Sequence, residues 1–171
     1  MITKMKNSYL YAFLFLILIS CNSKKDAYNF EKIIFHSSRC FGSCPIINLQ
    51  VNSDKSILLS KTPTSTMKKA SVSANNDELE YFKGTLSDNL FNKLMSELAK
   101  TRNLNFDGIN CCDAPLKSMI IYQGGKRKEI ETMFPPEESA NFIATLYEIS
   151  SLENLTKVSE KFEIETIKHQ E

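Results

Sequence analysis

Only two histidines, His36 and His169, and five glycines occur among the 171 residues. With so few of each, several kinds of chemistry lose their usual parts. There is no Gly-x-Ser-x-Gly nucleophile elbow, no His-Glu-x-x-His pair, and no glycine-rich loop that would cradle a phosphate. Net charge is also small, since 21 basic residues against 20 acidic ones leave +1. A chain this neutral carries no electrostatic footprint for nucleic acid, which needs a basic face to meet phosphates, so no such partner is expected. The short runs Lys68-Lys69 and Lys126-Arg127-Lys128 read as solvated turn or edge-strand positions. Nothing here favours an enzyme, and no cofactor is expected.

What the chain does have begins at its first residues. Lys4 and Lys6 precede an unbroken apolar run from Tyr9 to Ile19. That run is too short for a bilayer span of about 20 residues, but it suits the core of a signal peptide. It ends in Leu18-Ile19-Ser20-Cys21, which resembles the lipobox of bacterial lipoproteins. The resemblance implies that residues 1–20 are removed and that Cys21 becomes a lipidated N-terminus with a diacylglyceryl group and acyl chains of the palmitate class. Two or more chains anchor stably where one would not. Residues 21–28 then form a lipidated polar tether. Asn22, rather than an aspartate, follows Cys21, which favours the outer membrane over the inner one within the cell envelope. Loss of Lys4 and Lys6 takes the net charge from +1 to −1, and about 150 residues remain, the size of one domain.

Within that domain, Phe30–Ser37 is β-rich with Ile33 and Phe35 on one face, and Ile46–Val51 alternates with Ile47, Leu49 and Val51 on one side. Asn52-Ser53-Asp54-Lys55 is turn chemistry, and an apolar strand resumes at Ile57. Residues 61–78, rich in Thr, Ser, Lys and Asn, read as a long loop, with a further short strand at Leu79–Lys83. Ser87 is a good N-cap for a helix from Asp88 to about Arg102, whose Leu90, Phe91, Leu94 and Leu98 share a face. Lys117–Gln123 and Lys128–Phe134 form a hairpin around Gly124-Gly125-Lys126-Arg127, and Pro135-Pro136-Glu137-Glu138 opens a second helix with Phe142, Ile143, Leu146 and Ile149 inward. This order predicts an α+β domain over residues 29–152, an antiparallel sheet (meander plus hairpin) covered by two amphipathic helices. Residues 153–171 read as a charged C-terminal extension.

The most unusual stretch is Arg39-Cys40-Phe41-Gly42-Ser43-Cys44-Pro45. Gly42 allows the chain to reverse, and Pro45 holds Cys44 extended, so the stretch predicts a tight turn between strands with a thiol on each side. Cys111 and Cys112, followed by Asp113-Ala114-Pro115, supply two more thiols. An even number of thiols in an oxidising compartment points to disulfides, with three possible pairings of Cys40, Cys44, Cys111 and Cys112. On chain entropy, a local Cys40–Cys44 bond would contribute about 2 kcal/mol and a cross-link closing some seventy residues about 4.4 kcal/mol. A Cys₄ metal site is not expected, because adjacent cysteines rarely reach one tetrahedral ion. A thiol-redox role for Cys40 and Cys44 lacks both the Cys-x-x-Cys spacing and a βαβ setting, and about 13 Å of extended strand separates His36 from Cys40. An acid before Ala-Pro, as at Asp113, is usually a turn former.

The Cys40-Phe41-Gly42-Ser43-Cys44-Pro45 run followed by an alternating strand resembles a family of small bacterial envelope proteins known only as a domain of unknown function. Asp113-Ala114-Pro115, leading into Lys117–Gln123, resembles its second, weaker motif. The resemblance covers roughly residues 30–152 and implies the local Cys40–Cys44 bond, because the family motif contains that pair. It departs at Ile47, where the family has an aromatic residue. It implies no activity. The reading that follows is a lipid-anchored envelope protein acting as a binding or interaction module for an unknown protein or small ligand. Phe41, Gly42, Ser43 and Asp113 are its candidate binding loop. The alternative is a thiol–disulfide redox accessory protein using Cys40 and Cys44.

Overall fold

The computed structural model describes residues 30–40, 44–63, 78–106 and 114–168. Strands β1 (Lys32–Ser37), β2 (Ile47–Asn52), β3 (Ser56–Lys61) and β4 (Glu80–Thr85) form an antiparallel meander. Helix α1 (Asp88–Lys100) follows, then the hairpin of β5 (Lys117–Gln123) and β6 (Lys126–Thr132), a 3₁₀ turn at Glu137–Ser139, helix α2 (Ala140–Ser150) and strand β7 (Thr156–Val158). The sheet has seven strands in the order β6-β5-β1-β2-β3-β4-β7, every pairing antiparallel. The α+β class expected from the sequence is the one observed.

Local chemistry explains the element ends. The Ser87 hydroxyl accepts the Leu90 N–H at 3.3 Å and caps α1. The β5–β6 turn is tighter than the sequence suggested. Gly124 and Gly125 alone make it, with φ of 58° and 70°, and Lys126 already pairs with Gln123. Two successive left-handed residues form the turn whose twist matches that of the strands, and glycine adopts them without a Cβ clash.

One face of the sheet packs on the helices. Ile33, Phe35, Leu49, Val51, Ile57, Leu59 and Met119 meet Leu94 and Leu98 of α1 and Phe142, Leu146 and Ile149 of α2 in a single cluster. The Tyr147 hydroxyl on α2 shares a 2.8 Å hydrogen bond with Ser37, and its ring packs edge-on against Phe35 at 5.2 Å.

The opposite face is covered too. Ile34 and Ile120 are fully buried yet lie outside the helix-side cluster, and they are direct cross-strand neighbours. By strand alternation they point away from the helices. Their cover is the segment 159–168, which leaves β7 and runs back across the sheet as an extended strap. Phe162 meets the Tyr81 ring of β4 edge-on at 5.1 Å. Farther on, the Glu165 carboxylate accepts from Lys32 (3.1 Å), Tyr122 (2.6 Å) and Arg127 (3.1 Å), and the His36 Nε2–H donates to its carbonyl oxygen at 2.6 Å. Lys32 and His36 flank Ile34 on this face, so Glu165 bridges directly over it. The region read from sequence as a charged extension therefore contributes the seventh strand and a strap over the second face.

Candidate functional site

The C-terminal end of β1 is where the two sequence motifs meet. The Ser38 N–H donates to the Leu116 carbonyl and the Leu116 N–H donates to the Ser38 hydroxyl oxygen, each at 2.9 Å. These two bonds fasten the segment leading into the cysteine turn to the segment that follows Asp113. Ile46, on the far side of the turn, exchanges bonds with Thr62: its N–H reaches the Thr62 hydroxyl and its carbonyl accepts the Thr62 N–H, both at 3.1 Å. Cys40 and Cys44 are disulfide-bonded with Cα atoms 5.4 Å apart. Of the pairings open on the sequence, the local one is present. Phe41, Gly42, Ser43, Cys111, Cys112 and Asp113 lie outside the described residues, as does Cys21.

Beside this end, on the strap face, is a cavity of about 360 Å³. Ile46, Leu116 and Ile167 give it apolar walls, while Arg39, Ser118 and Glu131 bring polar groups to it. Ser118 donates to Glu131 at 2.9 Å. The floor continues as a polar row across neighbouring strands, in which His36 Nδ1 shares a 2.9 Å bond with the Asn48 side-chain amide and Asn48 Nδ2 donates to Ser60 at 3.0 Å. Both ring nitrogens of His36 are thus committed, one to Asn48 and one to the strap.

Lys117 closes the outer side of this end. Its ammonium donates to the carbonyls of Met133 (2.8 Å) and Pro115 (3.2 Å), and burial lowers its pKa below the ordinary lysine value. Next to Met133, the Phe134 side chain is 48% exposed, the one large hydrophobic residue so exposed among the described residues. The described residues contain no group of three His, Cys, Asp or Glu side chains that would hold a metal ion. The arrangement is suited to holding a ligand, with an apolar-walled hollow, a few convergent polar groups and an exposed ring at its margin.

Sequence reasoning singled out the cysteine turn and the Asp113 segment, and both lead to this end. It missed Lys117, Ser118 and Glu131, which are ordinary strand residues in one dimension, and it missed Glu165. A usable signal for the strap existed in Phe162, Ile164 and the charged residues alternating with them, a period of two that marks an extended segment with one covered face.

Removing the disulfide tests its structural weight. Replacing Cys40 and Cys44 together by serine should cost about 2 kcal/mol, because so short a loop restricts the unfolded chain little. Urea unfolding of the two forms measures this. A loss well above that would mean that the bond also holds the Ser38–Leu116 junction in place.

No curated protein matches the chain. A domain of unknown function, DUF6438, matches residues 31–152, from the residue before β1 to the end of the second helix and well over half of the sequence. The chain belongs to the DUF6438 family.

Proposed function

We propose that this chain is a lipid-anchored cell-envelope protein whose DUF6438 domain binds a partner, a protein or a small ligand, through the end of the sheet that carries the Cys40–Cys44 turn. The observation that carries this reading is the meeting of the cysteine turn, the Ala114–Lys117 segment and the exposed Phe134 around one cavity of about 360 Å³. The lipobox-like Leu18-Ile19-Ser20-Cys21 supports anchoring at Cys21. The tether of residues 21–28 then enters the domain at the Phe30 end of β1, opposite the cysteine turn. An anchored domain attached this way presents its binding end away from the bilayer, outer or inner.

The anchor and the site are tested separately. Cys21→Ala should move the protein from the membrane to the soluble fraction, and continued membrane fractionation would refute lipidation there. For the site, wild-type chain and a Phe41→Ala, Phe134→Ala double variant are compared for partners captured from envelope extracts. Loss of a specific partner at unchanged thermal stability supports the reading, and an identical captured set refutes it. The alternative redox role rests on the Cys40–Cys44 bond itself. A bond that stays closed below about −300 mV in glutathione buffers is structural, whereas opening near −200 mV would put redox function ahead.

A further inference from the structure

The strap shows what the second face of the sheet accepts, because it is itself an extended peptide lying there. Phe162, Ile164 and Ile167 are half-buried while Glu163, Thr166 and Lys168 are exposed. Between them the Glu165 carboxylate is gripped by Lys32, Tyr122 and Arg127, and His36 takes its backbone carbonyl. The face thus reads aliphatic side chains by burial over Ile34 and Ile120, an acidic side chain by two cations and a phenol, and the backbone by an imidazole. Beyond Ile167 the same groove opens into the cavity lined by Arg39, Ile46 and Leu116.

The way the strap is held matters as much as what it touches. β7 is part of the sheet ladder through Tyr81–Lys83. From residue 159 onward, among the described residues, no backbone-to-backbone hydrogen bond joins the strap to the sheet. Its attachments run through side chains: Lys83 to Glu160, Tyr81 to Phe162, and the groups around Glu165. A segment held this way is replaceable by another segment with the same side chains, since no ladder has to be broken and rebuilt.

We infer that the strap face is a groove for an extended segment of a partner protein with the pattern aliphatic, acidic, any residue, aliphatic, and that residues 159–168 are its resident occupant. The charge complementarity of Lys32 and Arg127 selects the acid, and Ile34 with Ile120 selects the aliphatic residues. Binding in trans then requires the strap to leave, so the strap sets the affinity threshold for the partner. This deepens the binding-module reading and rests on it for the existence of a partner.

The test uses the full chain and a fluorescent peptide of residues 159–168 as the probe. An internal competitor lowers apparent affinity by the fraction of molecules in which the groove is open. Glu165→Gln in the chain weakens the competitor, so the peptide should bind this variant at least about fivefold more tightly than wild type. Phe162→Ala in the chain should act in the same direction and serves if the first variant folds poorly. A probe with lysine in place of Glu165 should not bind. On saturation with the peptide, amides 160–167 of the chain should lose hydrogen-exchange protection while β1 and β5 keep theirs. Equal affinity for wild type and both variants, an unchanged strap with peptide bound, or binding that occurs only as the chain dimerises would each overturn the proposal. Neither Phe41 nor Phe134 contributes to these readouts. Failure of partner capture at the cysteine end with an intact peptide response would therefore sink the module reading alone, and the reverse pattern would sink the groove.

Discussion

Replacing Ile120 with alanine should destabilise the domain by about 2–5 kcal/mol, as much as a substitution in the helix-side core. Ile120 is fully buried on the face away from both helices. If that face met water, losing part of the side chain would cost little, because surface substitutions usually stay within about 0.5 kcal/mol. Urea midpoints at unchanged m-value measure the effect. The attribution to the strap is checked by a double-mutant cycle with a chain ended after Val158. In that chain Ile120 is already uncovered, so the alanine change should cost less than about 1 kcal/mol. An equal cost in both backgrounds would mean that the strap does not cover this residue.

Acid should loosen the same cover. The Tyr122 hydroxyl is the main cause holding the Glu165 carboxyl below the usual glutamate value, helped by Lys32 and Arg127 and opposed by partial burial. Because the folded value lies below the unfolded one, this contribution is complete above the ordinary glutamate pKa of about 4.3. It is lost as pH falls through the lower folded value. Amide exchange followed from pH 6 downward should show strap residues 160–167 losing protection before β1 and β5 do. Simultaneous loss would show that Glu165 does not control the strap.

Phe142→Ala should have the largest single effect, about 3–5 kcal/mol. Phe142 is fully buried and is among the largest side chains so enclosed. It belongs to the one cluster that joins α2, α1 and the inner face of the sheet. Removing its ring leaves a void between rigid layers that close only partly. Urea midpoints of the two forms decide the matter. A loss below about 1.5 kcal/mol would mean that α2 shifts into the space and that the layers are less tightly fixed than their burial indicates.

Much of the fold was legible because its signals are local. The alternation of Ile47, Leu49 and Val51 placed β2 and its inner face, and all three are buried. Ser87 marked the start of α1, and Leu94 and Leu98 marked its buried side. The strap was harder to read. Central strands β1 and β5 carry Ile33-Ile34-Phe35 and Met119-Ile120-Ile121, apolar on both faces where a sheet with one wet face would alternate. That run indicates two covers, but it does not say which distant segment supplies the second. The candidate site was legible only in part. The cysteine turn announced itself by composition, whereas Lys117, Ser118 and Glu131 gain meaning only from which strands stand side by side.

By itself the sequence determined the element types, the meander, the capped helix, the glycine turn and the α+β class, because each depends on a few adjacent residues and their backbone preferences. Tertiary structure decided that the β5–β6 hairpin docks beside β1, so that the Leu116 segment meets Ser38. It also decided that Glu165 crosses more than forty positions of chain to reach Tyr122 and well over a hundred to reach Lys32. Contacts of that separation follow from how buried faces find one another in three dimensions, and no local pattern of residues encodes them.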